Sequence, residues 1–445
     1  MSRDRSRLYF HLAGAMSLGG WIVLAVVSHK VERPLWIFLG VLAWEWLIFL
    51  AAWRWSAGTD FNLVKFPILL WAVLFLLCGL LATPLLEDDQ FRFLWDGRQF
   101  ATTGNPYGVP PANLFGDATV SERFQQILDQ INYPHVPTIY GPVCQLGFLV
   151  SYWIAPGQIW PWKMLLIFAA IGLIQYTIRI AQRRQGRAGD AAGSRPSSAA
   201  AVALLAGWCP LLIFETGFNA HPDLLGVAFL TAAMFTGVQK RDSVCGVLCG
   251  LAAGSKVFAL LLVPFLLRRS RRAWVGFVVT VILLYAPFWL QGSGGDFTGL
   301  AAFAKDWEFN SSLYALARWS LGISAGKILC GLIFVAAWAV LLFRWYGWAR
   351  DFDVPPGAAV YGALLLLAPT VNPWYLLWLF PFVALRPTAA GIAAMALVSL
   401  SYVTALNLGD PSLGNFEHPV WVRPVEYGGI ALVGIAQGWR RWKTG

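Results

Sequence analysis

Charge is what this 445-residue sequence has least of: Asp, Glu, Lys and Arg supply 13% of it, while 58% is hydrophobic. A soluble globular chain carries about 25% charged residues, so an ordinary water-soluble domain is excluded. Nucleotide-phosphate signatures are missing too, since there is neither a GxxxxGK[ST] loop nor a GxGxxG fingerprint on a strand. Cysteine is sparse, and the six present (Cys78, Cys144, Cys209, Cys245, Cys249 and Cys330) lie in or beside apolar segments. Cys245 and Cys249 have no His or Cys pair nearby, which fits small buried hydrophobes better than a metal or redox site. No His/Asp set stands at a recognisable ligand spacing, so no metal is expected. The formal net charge is +10. No basic groove interleaved with aromatics accompanies it, so nucleic acid is not expected as a partner.

What remains is apolar sequence in long runs. Segments of about 18 residues or more recur from end to end, the mark of a polytopic α-helical membrane protein. Basic residues sit in short loops beside these runs, where they set topology. Arg3, Arg5 and Arg7 precede Leu8–Ser28, a run too long for a cleaved signal and without a small-residue cleavage site, hence a retained anchor with a cytoplasmic N-terminus. Pro34–Trp53 then returns and Phe66–Leu86 goes out again. A long outer loop follows, from Glu87 to Tyr140, rich in Pro and Gly. Gly141–Ala155 is short and reads as a partial or tilted insertion before Lys163–Gln182. The Gly/Ala/Ser/Arg-rich stretch 185–198 reads as a flexible cytoplasmic linker.

Ala199–Phe214, Leu224–Val238, Ala273–Leu290, Ile328–Trp345, Ala389–Leu406 and Val425–Gly438 continue the series. Two segments are interrupted: Val244–Leu267 at Gly254-Ser255-Lys256, and Ala358–Leu385 at Pro369-Thr370-Val371-Asn372-Pro373. Interrupted segments are tolerated in a membrane only where they line protein or a water-filled cavity. The expected architecture is an all-α bundle of about ten full crossings plus two broken, re-entrant segments, with interfacial helices in the first outer loop. It is read as one integral-membrane domain, 1–445, with a two-helix addition at 1–65, a core at 66–445 and the motif-bearing loop at 87–140.

The stretch from Glu87 to Arg98 stands out. Adjacent carboxylates Asp88 and Asp89 at the mouth of a membrane helix are expensive to keep ionised near hydrocarbon, which points to function. Phe91, Phe93, Leu94, Trp95 and Phe100, mixed with Arg92, Asp96 and Arg98, read as an amphipathic helix at the interface. Arg92 and Asp96 are spaced i,i+4 and read as a structural pair. The tracing gathers Asp88, Asp89, His135, His221, Asp223, Lys256, Asn310, Asn372 and Tyr375 on the outer side or at broken tips.

An enzyme at that face needs an activated group delivered through the membrane, and a sugar on a polyprenyl phosphate meets the need. A carboxylate must accept the proton of the attacking hydroxyl. Cations must hold the departing phosphate as charge builds on it. Asp88 or Asp89 suits the first role; Lys256, His221, Arg92 or Arg98 suits the second.

These residues also carry a resemblance. Asp88-Asp89-Gln90-Phe91-Arg92-Phe93-Leu94-Trp95-Asp96-Gly97-Arg98 with Gly104-Asn105-Pro106-Tyr107 resembles the GT-C integral-membrane glycosyltransferases. Within them it is most similar to family-87-like and other polyprenyl-phosphate-mannose-dependent mannosyltransferases. Pro137-Thr138-Ile139-Tyr140-Gly141-Pro142, the Gly250–Lys256 run, Trp307-Glu308-Phe309-Asn310 and Asn372-Pro373-Trp374-Tyr375 fit the same pattern. The resemblance implies a base at Asp88, with Asp89 its neighbour, and an inverting transfer with no obligatory metal or cofactor. It implies substrate contacts at Asn105, Tyr107, Tyr140, Asp223, Asn310, Asn372, Trp374 and Tyr375. The expected partners are a polyprenyl-phosphate-linked sugar, a glycan or lipid acceptor, and the bilayer. The broken helices leave a second reading, a membrane transporter or lipid flippase, since secondary transporters also build sites at such breaks.

Overall fold

The computed structural model describes residues 3–188, 198–268, 270–293, 295–348 and 354–444. Most of the expected 185–198 linker lies outside them. Among the described residues the fold is all-helical, with one isolated bridge, Phe309 to Thr370, and no strands. Among the described residues, seven helices are long and apolar enough to cross a membrane: Arg5–Val27, Leu35–Ser56, Phe61–Leu80, Trp160–Gly186, Ala199–Phe218, Arg271–Leu290 and Ile323–Gly347. Five shorter apolar helices accompany them: Pro142–Ile154, Asp223–Val238, Asp242–Ser255, Gly357–Leu367 and Ala389–Tyr402. This is a polytopic membrane protein.

The helices depart from the apolar runs where backbone chemistry intervenes. The run Phe66–Leu86 is helical only as far as Leu80, and Leu81–Asp88 is irregular. Pro84 explains this, because it removes a donor and drives Thr83 out of the helical region. Pro210 likewise splits Ala199–Phe214 into Ala199–Trp208 and Pro210–Ile213. Both anticipated breaks are present. Asp242–Ser255 stops at Lys256, whose backbone is extended, before short turns at Val257–Leu261 and Val263–Leu267. Gly357–Leu367 stops before Asn372, which precedes a 3-10 turn at Pro373–Trp378.

The chain forms two compact units. One comprises Met1–Ala82, Leu173–Glu215 and Glu308–Gly445. In it Arg3–Val27 packs on Leu35–Ser56 and Phe61–Leu80, and the wholly buried Ala199–Trp208 packs on the last two. Trp208 Nε1 donates to the Ile68 carbonyl at 2.9 Å, which satisfies a donor that would otherwise be orphaned in an apolar interior.

The other unit comprises Thr83–Gly172 and Thr216–Trp307. Asp223–Val238, Asp242–Ser255 and Arg271–Leu290 pack in sequence, and Asp89–Thr103 packs on Pro142–Ile154. That last contact needs Gly97, where a Cβ would stand 2.5 Å from the Phe148 carbonyl oxygen. The 87–140 segment also has its own apolar centre. Trp95, Val120, Phe124, Ile127, Leu128 and Ile131 are buried together.

Candidate active site

The acidic stretch is held in place by its own turn. Leu86 adopts a left-handed backbone (φ 66), and the Asp89 amide donates to Glu87 Oε2 at 2.8 Å. Asp88 precedes the first turn of Asp89–Thr103, and its carbonyl accepts the Phe91 amide at 3.1 Å. Asn132 Nδ2 donates to Asp88 Oδ2 at 3.3 Å, which ties the start of the loop to a residue near its end. Both Asp88 and Asp89 are half-buried.

A second segment meets them. Asn219 Oδ1 accepts the Leu85 amide at 2.9 Å, and Trp162 Nε1 donates to the carbonyl of Ala220, whose φ is 63. These bonds fix the loop ahead of Asp223–Val238 and bring His221, fully buried, against the acids. Its Nε2 lies 3.6 Å from Glu87 Oε1 and 4.0 Å from Asp89 Oδ2. Burial pushes the Asp89 carboxyl up to about 7, and the neighbouring Glu87 adds to this; His221 and Lys256 act in the opposite direction.

Asp223 opens the next helix and is buried, so its charge needs a partner. Lys256 supplies one, donating to Asp223 Oδ1 at 2.7 Å and Oδ2 at 2.6 Å. The helix break makes this possible, since it presents Lys256 at a helix end. Gly141 packs directly on that break, and a Cβ there would fall 2.3 Å from the Gly254 carbonyl oxygen. Cys144 Sγ donates to the Ser255 carbonyl at 3.4 Å. Tyr140 precedes this contact, and Tyr107 Oη donates to its carbonyl at 3.1 Å. Burial raises both phenols well above the usual range, so both hydroxyls stay protonated.

Arg92 and Asp96 form the expected pair, Nε to Oδ1 at 3.0 Å. Asp96 is buried and also accepts from Thr138 Oγ1 at 2.5 Å and Gln145 Nε2 at 2.9 Å. Even so, burial raises its pKa, while Arg92 opposes the shift. Arg92 Nη2 donates to the Val136 carbonyl at 2.8 Å. Arg98 turns to the loop's apolar centre, lying over Trp95 and Phe124 at 5.1 and 5.6 Å. Asn105 builds a local turn, its Oδ1 accepting the Tyr107 amide at 3.0 Å.

Asn310, Asn372, Trp374 and Tyr375 belong to the other unit. There Asn310 is buried with a left-handed backbone (φ 46), and its Nδ2 donates to Glu426 at 3.0 and 3.2 Å. The segments carrying Asn310 and Asn372 meet through reciprocal bonds, Phe309 amide to Pro369 carbonyl (3.1 Å) and Val371 amide to Phe309 carbonyl (2.8 Å). Trp374 and Tyr375 make an edge contact at 6.1 Å.

Glu87, Asn219 and Asp296 were not singled out by sequence reasoning. Glu87 adjoins the carboxylate pair, and Asn219 shares the short loop with His221, so position offered a hint for both. Asp296 is buried just ahead of the helix Phe297–Asp306 and interacts with Tyr285; burial raises it to about 6. Nothing in its local sequence marks it.

No curated protein matches the chain, and neither does any solved structure. Residues 13–270 match the MptA/B family, described as the N-terminal domain of alpha-(1->6)-mannopyranosyltransferases, a span that takes in both the acidic stretch and Lys256. The chain belongs to this family of membrane mannosyltransferases.

Proposed function

We propose that the protein transfers a mannosyl group from a polyprenyl-phosphate carrier to an acceptor hydroxyl, with inversion, at the extracytoplasmic face of the plasma membrane. The observation that supports this best is the meeting of the Glu87–Asp89 turn with His221 and the Asp223–Lys256 pair at one helix mouth. In this reading Asp88 takes the acceptor's proton, and displacement at the anomeric carbon proceeds from the face opposite the phosphate. Lys256 and His221 face the departing phosphate, and a cation set in low dielectric stabilises its growing charge more strongly than in water. Arg92 holds the helix that carries the acids, and Asn105, Tyr107 and Tyr140 form the wall beside it. A polyprenyl tail suits a helix mouth, because the tail partitions into lipid while the sugar phosphate stays at the interface. The termini are assigned to the cytoplasm, with Arg54, Lys65 and Arg271 on the same side by the positive-inside rule.

The test is to incubate purified protein with radiolabelled polyprenyl-phosphate mannose and candidate acceptor glycans or lipids. Bond exchange to an acceptor, with inverted anomeric configuration by NMR, is the expected result. Movement of intact carrier across vesicles without bond exchange would overturn it. Labelling of a cysteine introduced beside Asp88 by an impermeant reagent, from the cytoplasmic side only, would overturn the assigned face.

A further inference from the structure

Glu87 and Asp89, which the transfer reading leaves without a role, form a set with His221, to which it gives a phosphate contact. Their candidate ligand atoms (one imidazole nitrogen and two carboxylate oxygens) all lie within 4.8 Å of one another. His221 Nε2 stands 3.6 Å from Glu87 Oε1 and 4.0 Å from Asp89 Oδ2, too far for good hydrogen bonds. When bonded to one ion at about 2.1 Å, such atoms sit about 3.0–3.4 Å apart, so the two contacts of His221 need to close by about an ångström or less, and the carboxylates turn toward the ion to complete the shell.

Two further observations point to a ligand. Glu87 Oε1 is buried and accepts no hydrogen bond, although the other oxygen of the same carboxylate accepts the Asp89 amide. An acceptor left open inside a protein is costly unless something fills it. Charge is also unbalanced among these neighbours. Glu87, Asp89 and Asp223 are three carboxylates, while Lys256, the cation beside them, is engaged by Asp223 through both oxygens.

The Glu87 side chain and the loop that carries His221 are also held before any ion arrives. Glu87 is held through the Asp89 amide, and the Asn219 and Trp162 bonds hold the loop that carries His221. A preorganised set with one open face, where Asp89 keeps 33% of its side-chain surface exposed, resembles a metal site with positions left for water or an anion.

We infer that Glu87, Asp89 and His221 bind a divalent transition-metal ion. One nitrogen and two oxygens suit Mn2+ or Zn2+, whereas Mg2+ and Ca2+ favour all-oxygen shells. Asp89 is the most exposed of the three, which leaves its side of the site open to water or a phosphate oxygen.

The experiment uses the full chain in detergent, stripped of metal, with no sugar donor present. Mn2+ binding is followed by electron paramagnetic resonance and checked by metal analysis after dialysis against Mn2+ or Zn2+. One ion per chain is expected, with Zn2+ displacing Mn2+. Glu87→Gln and His221→Gln should each weaken binding at least about tenfold. Uptake of neither ion by the wild-type chain overturns the inference without recourse to any variant. Equal binding by the wild type and both variants overturns it as well. Because no donor is present, failure here leaves the transfer reading standing, and failure of transfer leaves this measurement unaffected.

Discussion

Lys256 Nζ sits 2.6–2.7 Å from both oxygens of Asp223, joining the end of one broken helix to the start of another. Asp223 is almost fully buried and Lys256 keeps 16% of its side-chain surface exposed, so the pair excludes water on one side and offers its cation on the other. Removing one partner strands a charge. Lys256→Met should therefore destabilise the protein by about 3–5 kcal/mol, and Asp223→Asn/Lys256→Met by clearly less. Thermal unfolding in detergent measures both.

Asp88→Asn keeps size and shape while removing the carboxylate proposed to accept the proton. Transfer should fall by about 100-fold or more, with unfolding temperature and elution profile unchanged. Retention of full rate in Asp88→Asn, in Asp89→Asn and in the double variant would remove the carboxylate mechanism.

The Asp89 carboxyl is raised to about 7 by burial and by Glu87, against the pull of His221 and Lys256. Its ionised fraction therefore grows as pH climbs through neutrality, and an added negative charge beside Asp88, the proposed base, favours proton uptake there, so the transfer rate should rise between about pH 6 and 8. Glu87→Gln removes a repulsive charge and should shift the midpoint down. His221→Gln should shift it up. A rate profile flat across that range in the wild type would contradict the assignment.

Asp296 tests the loop chemistry through stability. Its folded pKa, about 6, lies above the ordinary value of 3.8 because of burial. The folded state thus holds a proton that the unfolded state releases earlier. This contribution is complete below about pH 4, is lost as pH rises through 6, and is absent above it. Asp296→Asn should flatten that dependence and raise stability at pH 7 by about 2 kcal/mol. Unfolding temperature against pH for both proteins checks it.

Gly141→Ala probes the contact behind Lys256. The added methyl would meet the Gly254 carbonyl at 2.3 Å, so backbone must move. A loss of about 1–3 kcal/mol is expected, together with lower transfer, because Lys256 directly follows the displaced turn.

Much of this architecture was legible from side-chain chemistry alone. Apolar runs gave the membrane class, Gly254-Ser255-Lys256 and Asn372-Pro373 gave the breaks, and the i,i+4 spacing gave the Arg92–Asp96 pair. What escaped depended on backbone detail or on long-range encounter. Pro84 ends a helix inside an unbroken apolar run, which hydropathy does not register. Leu85 and Asn219 are 134 residues apart, so no local pattern announces the bond that brings His221 to Glu87. Arg98 reads as a phosphate ligand by charge, yet Trp95 and Phe124 offer its guanidinium flat faces that only the folded loop assembles. Topology groups Asn310, Asn372, Trp374 and Tyr375 with the acids, and membership of a different compact unit is something that no topology reading registers.

The Trp95–Phe124–Leu128 centre carries one more consequence. A segment that buries its own greasy residues against each other owes its shape to internal contacts, not to surrounding lipid. The acids sit at the root of that self-supporting lobe, so a thicker or thinner bilayer can tilt the spanning helices without respacing Asp88 and Asn132. Grafting the lobe's tip from a relative is then a way to vary the loop while Asp88 and Asn132 keep their spacing.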